Sequence, residues 1–280
     1  MFVKLIKVSS FIWAVFFGEQ LMIENSIFNA SSREHFEMYG FVRLGCVLKE
    51  IELQKLKQRI NEIMLGEVKY ANMLFQLDSE NGEYGSTPAP SSGHKSRTLA
   101  YRKIMGLEQD PIFLKYMQHP VFRAITKYYI GNEVSIYRAM FMNKPADRGT
   151  ELPWHQDVGW GWGVDTDPTI TIWTALDPAT VTNGCMQIIP GSHKHGIINK
   201  HHWLPEEKAA EYVKLSEVEY LEAQSGEVIL LHNLLLHRSG TNPSKMPRRA
   251  FSIAYMEGAT KMRETGESFP MVFGESALRP

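Results

Sequence analysis

The feature that most narrows the fold is a change of hydrophobic period at Gly131. Before it, apolar residues recur three and four apart: Leu53, Leu56, Ile60 and Ile63 mark one face of a helix over Lys49 to Met64. Pro111 to Met117 and Val121 to Ile130 read as two further helices, the second ended by Gly131. After Gly131 the spacing drops to two. Val134 to Met142, Thr169 to Thr174, Cys185 to Ile189, Gly226 to Leu231 and Arg249 to Met256 are short alternating or apolar runs separated by Gly, Pro, Asn and Ser. Leu234 to His237 is read as continuing the sheet region. Many short strands after a helical first third predict a mainly β protein with flanking helices (α+β). The expected core is a β-sandwich or jelly roll buttressed by N-terminal helices.

Local signals fill in the rest. Asn29 to Ser32 offers caps for a helix through Met38 that stops at Gly40, and Phe41 to Leu44 reads as a strand. Residues Asp78 to Arg97 are rich in Gly, Ser and Pro; a loop this long is expected to act as a lid or to be disordered. Tyr101 to Ile104 is a short extended piece and Pro205 to Leu215 a helix, while the tail after Gly258 carries little signal. Lys4, Lys7 and the apolar run Phe11 to Phe17 resemble the start of a signal peptide, but no small-residue cleavage site follows and the run is too short to span a bilayer. Residues 1–21 are therefore read as an extension, with Met22 a candidate start. No repeat or linker divides residues 22–280, which are expected to form a single domain.

Charge excludes some partners. Thirty basic and 31 acidic residues leave a net charge of −1, with no basic block, so neither nucleic acid nor membrane is an expected partner. Cys46 and Cys185 stand far apart with no CxxC, which suits a reducing compartment such as the cytoplasm. Monomer and homodimer remain open.

The chemistry centres on Trp154-His155-Gln156-Asp157. Residues two apart on an extended backbone point the same way, so His155 and Asp157 can reach one ion. A second histidine would complete a 2-His-1-carboxylate triad, which holds Fe(II) on one face and leaves the other open. His232 and His237 are the candidates; being five apart, they face opposite sides of a regular strand, and one alone should point inward. Four further histidines, His193, His195, His201 and His202, lie in one polar segment and read as solvated loop residues. Beyond His237 come Ser239, a hydroxyl donor, and Arg248, whose planar fork suits the distal carboxylate of a dicarboxylate cosubstrate. His237, Ser239 and Arg248 make the coherent set.

Ordered blocks then point to a family. Tyr137-Arg-Ala-Met-Phe-Met-Asn-Lys-Pro145 through Trp154-His-Gln-Asp157, Ile172-Trp-Thr-Ala-Leu-Asp177, Asn183-Gly-Cys-Met-Gln-Ile-Ile-Pro-Gly-Ser-His193, Gly226-Glu-Val228 and His237-x-Ser-Gly-x-Asn242 with Arg248 resemble the phytanoyl-CoA dioxygenase (PhyH-like) family of Fe(II)/2-oxoglutarate oxygenases. The match runs from about Glu34 to Met256. The resemblance implies a double-stranded β-helix (cupin-like) core. It implies His155, Asp157 and His237 as iron ligands, Arg248 and Ser239 on the far carboxylate of 2-oxoglutarate, and Trp173 beside that cosubstrate. It also implies O2 as the second cosubstrate, release of succinate and CO2, and no catalytic residue apart from the metal ligands. Related halogenases carry Gly or Ala where Asp157 stands, so the carboxylate speaks for oxygenation.

The substrate is expected to be a small or medium organic molecule. Trp154, Gln156, Trp160 and Arg102 are the candidate contacts, and Trp160 and Trp162 are candidates to close over it with the Asp78–Arg97 loop. The rival classes are a non-redox metalloenzyme and a silent binding protein on the same scaffold; the Arg248 clamp argues against the first and the intact triad against the second.

Overall fold

In the computed structural model, residues 27–280 are described; the expectations for residues 1–21 and for Met22 lie outside them. Helix α1 (Ala30–Tyr39) starts at Asn29, whose side chain accepts from the Ser32 amide, and ends at Gly40 with φ 78°. Strand β1 (Phe41–Cys46) and helix α2 (Glu50–Met64) follow, the latter burying Leu53, Leu56, Ile60 and Ile63 as its spacing predicts. Next come β2 (Leu74–Leu77), β3 (Ser91–Ser92), β4 (Tyr101–Met105), α3 (Pro111–Met117) and α4 (Pro120–Tyr129). The β-rich part comprises β5 (Val134–Lys144), β6 (Leu152–His155), a single turn of helix α5 (Gly159–Trp162), β7 (Ile170–Ala175), β8 (Met186–Ile188), α6 (Glu206–Tyr212), β9 (Glu219–Leu221), β10 (Glu227–His232), β11 (His237–Ser239), β12 (Arg248–Glu257) and β13 (Met271–Phe273).

Two antiparallel sheets form the jelly roll. The larger runs β1-β10-β7-β12-β5-β4-β2-β3, with β13 on β5; the smaller runs β6-β11-β8-β9. The central strands of the larger sheet are covered on both faces, and period two divides their side chains. On β12, Phe251, Ile253 and Tyr255 join the core beneath α2, α3 and α4, while Arg248, Ser252 and Ala254 face the space between the sheets. On β7, Ile170 and Ile172 take the helical side and Thr171 and Trp173 the inner side. A second apolar cluster, including Trp173, Ile188, Leu221, Ile229 and Ala250, fills part of the interval between the sheets. The rest is a cavity.

One expectation needs correction, and two stretches with weak sequence signals gain definite contacts. Leu234 to His237 is not continuous strand: β10 ends at His232, and β11 starts at His237 in the other sheet. The intervening turn is held by backbone bonds from Asp157 N to Asn233 O (2.7 Å) and from Asn233 N to Thr169 O (2.9 Å). The tail after Gly258 contributes β13, which pairs with the start of β5. The Asp78–Arg97 loop is anchored at Asp78, whose carboxylate accepts from the Thr150 hydroxyl (2.6 Å) and the Gly149 amide (3.0 Å).

The approach to β12 is fixed by Asn242, which is fully buried. Its amide donates to the carbonyls of Lys144 (3.0 Å), Pro145 (3.1 Å) and Met246 (2.8 Å), and its oxygen accepts from Ser244 N (3.0 Å). Asn242→Ala removes this donor from the Lys144 and Pro145 carbonyls, while Met246 O keeps the Ser244 hydroxyl (3.1 Å), at about 1–3 kcal/mol for each buried orphan. Urea unfolding should show a loss of roughly 3 kcal/mol; a loss below about 1 kcal/mol would mean that the loop finds other partners.

Candidate active site

The cavity measures about 240 Å³. Its histidines are brought together by strand pairing: β11 lies antiparallel to β6 with His237 directly opposite His155, and their rings are 4.0 Å apart. Each ring is held alike. His155 Nδ1 is 2.8 Å from Pro153 O, and His237 Nδ1 is 2.9 Å from Leu235 O. A carbonyl only accepts, so Nδ1 carries the proton in both rings and the Nε2 lone pairs are free. Burial, with His237 and His202 nearby, keeps His155 neutral by pushing its pKa well below the ordinary value.

Asp157 follows β6 and lines the same cavity. His202 joins it, contrary to the reading of the 193–202 histidines as solvated. Ligand-type atoms of His155, Asp157 and His202 lie within 4.8 Å of one another, and His202 Nδ1 is 3.9 Å from Asp157 Oδ1. His202 adopts φ 78°, in the left-handed region that residues other than glycine seldom enter, and its buried Nδ1 has no hydrogen-bond partner among the described residues. Trp203 packs on His155 at 4.8 Å and pairs with it in an isolated bridge. No local pattern marks these two; a long loop delivers them. His232 is elsewhere, 4.9 Å from the His193 ring and 5.9 Å from Phe36, with Nδ1 accepting from Leu234 N.

The other end of the cavity is cationic. Arg248 is buried with Ser239 beside it. One guanidinium nitrogen donates to Gly184 O (3.0 Å), Nε has no partner, and the charge lies 6.0 Å from the centre of the Trp173 ring. Burial pulls the pKa down to about 10. A buried guanidinium with a vacant donor and no carboxylate partner is costly unless an anion completes it. Gly184 can supply its carbonyl there because it sits at φ 79°, and a Cβ would come within 2.7 Å of Thr241 O. Lys103 also lines the cavity, its pKa lowered to about 7 by burial and by Arg102 and Arg138. Nothing in the five-residue strand β4 singles Lys103 out over its neighbour Arg102.

The substrate candidates fare differently. Gln156 is fully buried; its amide donates to Gly196 O and Leu234 O and its oxygen accepts from Ile198 N, so it pins two loops and lines no cavity. Trp154 packs with Ile189, Leu204 and Leu236. Arg102 is buried, bonded to Gln76 and set over the Tyr84 ring; it borders only the small recess behind Arg248. Trp160 is 52% exposed with Arg263 stacked on it, whereas Trp162 lines the cavity. From the Asp78–Arg97 loop, Tyr84 reaches the cavity wall, its ring 4.5 Å from Trp203.

A double-stranded β-helix with a His/Asp cluster in the cavity between its sheets is an architecture that metal-dependent oxygenases use. The chain belongs to the phytanoyl-CoA dioxygenase (PhyH) family, whose family model matches residues 36–250. It is thus an Fe(II)/2-oxoglutarate-dependent oxygenase with O2 as cosubstrate. It is 28% identical over 247 residues to a probable phytanoyl-CoA dioxygenase of Caenorhabditis elegans (83% of this chain, 76% of the relative). It is 25% identical over 246 residues to the peroxisomal phytanoyl-CoA dioxygenase of Homo sapiens (83% and 70%). Among solved structures, EctD from S. alaskensis with 2-oxoglutarate and 5-hydroxyectoine aligns at TM-score 0.65, 20% identity, 84% of this chain and 78% of that one. The epimerase SnoN with Fe3+, alpha-ketoglutarate and nogalamycin RO aligns at 0.62, 18% identity, 85% and 86%. Among the described residues, no helix is long and apolar enough to cross a membrane.

His232 gives a pH prediction. Burial and nearby His193 lower its pKa from 6.5 to about 4. The unfolded chain therefore takes up this proton first, so stability is whole above about pH 6.5 and falls as the pH drops toward 4. At pH 5 the group costs up to roughly 2 kcal/mol. Urea unfolding at pH 7 and pH 5 should show a loss smaller by about that amount in His232→Phe than in the unaltered protein.

Proposed function

We propose that the cavity hydroxylates a C–H bond of a small or medium organic molecule, with conversion of 2-oxoglutarate and O2 to succinate and CO2. In this reading His155 Nε2, the Asp157 carboxylate and His237 Nε2 hold Fe(II). Arg248 and Ser239 hold the distal carboxylate of 2-oxoglutarate beside Trp173. The observation that carries the reading is the matched pair of imidazoles with Nδ1 committed to backbone carbonyls, set in one cavity with a buried guanidinium that lacks an anion. His237 is chosen over His202 as third ligand because its tautomer is fixed as that of His155 is, whereas His202 Nδ1 has no carbonyl to orient the ring.

Bound iron supplies oxidation of an unactivated C–H bond, coupled to decarboxylation of the cosubstrate. The chain's residues do the rest. The two strand-held histidines fix the direction of their lone pairs, and Arg248 sets the orientation of the cosubstrate by a bidentate contact. Tyr84, Trp162 and Trp203 wall the cavity against water. Residues from about 22 to 280 act as one domain, and the unpaired Cys46 and Cys185 fit a reducing setting, the cytoplasm in our reading.

The test is anaerobic addition of Fe(II) and 2-oxoglutarate, read by the weak visible charge-transfer band of the chelate. Unaltered protein should show the band. His155→Ala and His237→Ala should abolish it, while His202→Ala should retain it. Arg248→Ala should raise the 2-oxoglutarate concentration at half-saturation about thirtyfold or more, as expected for loss of a buried charge pair worth 2 kcal/mol or more. Loss of the band in His202→Ala but not in His237→Ala would replace the ligand set, and its absence from folded, iron-loaded protein would end the oxygenase reading of this site.

A further inference from the structure

The cavity carries more positive charge than the reaction uses. Lys103, Arg138, Arg238 and Arg248 line it, against a single carboxylate, Asp157. Among the described residues, none of the four cations is paired with an acid. A dication and a doubly negative cosubstrate cancel each other, so their binding leaves the excess in place even with Lys103 neutral. Unpaired positive charge in a partly desolvated site favours an anionic guest.

Arg138 is the cation best placed to receive one. Between Ala254 and Tyr255 the β12–β5 register steps from Arg138 to Ile136, so Tyr137 is the extra residue of a β-bulge. Consecutive residues of a regular strand face opposite ways; the bulge turns Tyr137 and Arg138 both into the cavity. Tyr137 then serves as a bracket. Its ring is stacked on Trp162 at 4.4 Å and 3°, its hydroxyl donates to Trp162 O (3.2 Å), and its oxygen accepts from Arg138. The Arg138 guanidinium lies 4.3 Å from the centre of the Tyr137 ring and has no other hydrogen-bond partner among the described residues. Arg238, by contrast, is bonded to Gln187 and packed on Trp154.

Position separates this charge from the cosubstrate clamp. Arg138 is opposite Ala254 and Arg248 opposite Lys144, six residues apart along the β5–β12 ladder. At about 3.4 Å per residue their Cα atoms are roughly 20 Å apart along the strands. The His/Asp cluster belongs to the same cavity. An anion on Arg138 is therefore not the one on Arg248.

We propose that Arg138, held by Tyr137 and Trp162, is the substrate anchor and that the substrate is a small carboxylate, gripped by this guanidinium with its reacting carbon toward the His/Asp cluster. This deepens the oxygenase reading and rests on it. A single planar fork matches a carboxylate bidentately. At about 240 Å³ the cavity is below the roughly 300–1,000 Å³ usual for ligand sites, which favours a small molecule.

The test uses butanoate, hexanoate and octanoate, each beside its primary amide. They are titrated into protein loaded anaerobically with Fe(II) and saturating 2-oxoglutarate, with calorimetry and the shift of the chelate band as readouts. At least one acid should bind about tenfold or more tightly than its amide. The ratio should fall to near one in Arg138→Gln and be partly kept in Arg138→Lys, with the chelate band present in both variants. Equal affinity for acid and amide, binding of neither, or a preference that survives Arg138→Gln overturns the proposal. Should Arg138→Gln not fold, Arg138→Lys and the acid–amide comparison in unaltered protein decide it. Absence of the band itself marks failure of the oxygenase reading, since calorimetry reports the acid–amide difference separately.

Discussion

Everything in the site depends on burying both faces of the β5–β12 ladder. Helices α2 to α4 take one set of alternate side chains, Phe251, Ile253 and Tyr255 among them. The other set is thereby committed to the interval between the sheets, whether apolar or not. That commitment places a guanidinium in the interior. Arg248 lies at an inward position of a strand that helices have already oriented, and the apolar stabilisation on the far face offsets the cost of desolvating it. Among the described residues no acid completes Arg248, and in the proposed reading the distal carboxylate of 2-oxoglutarate does so.

The small sheet works differently. Its strands are short, and β11 is three residues long. What fixes it is the tight turn after β10, held by Asn233 and by Ser192, whose oxygen accepts from Leu236 N. The turn delivers His237 opposite His155 and supplies Leu235 O to its Nδ1, while within β6 Pro153 O takes Nδ1 of His155. The orientation of each imidazole is thus set by the backbone two residues before it and does not wait for a ligand.

Most of the architecture was legible because the hydrophobic period is strong. Leu53 to Ile63 and Val134 to Met142 declare helix and strand unaided, and the capping by Asn29 and Gly40 lies where their side-chain chemistry predicts. The fold class and family were equally legible, in ordered blocks that include His155-x-Asp157 and His237-x-Ser239. The failures share a cause. His232 and His237 were placed on one strand because apolar Leu234 to Leu236 hides a change of sheet. Lys103 was passed over for Arg102, since the facing of a five-residue strand depends on partners that period two alone does not reveal. His202 and Trp203 reach the cavity by tertiary placement of a long loop. The bulge at Tyr137 exists only as a register between distant strands, so nothing local could announce it.

The pairing of β6 with β11 and of β5 with β12 also sets an order of events in time. His155 emerges from synthesis well before His237, and Arg248 later still, so a fragment ending within β10 lacks His237, Ser239 and Arg248. Long-range antiparallel closure of this kind is slow compared with helix formation. The helical first third lies on one face of β5, while the inward face is covered by the smaller sheet, all of whose strands follow β5 in the chain. Met140 and Met142 stand on that inward face and line the cavity, so they are enclosed only once strands that come later in the chain have closed over them.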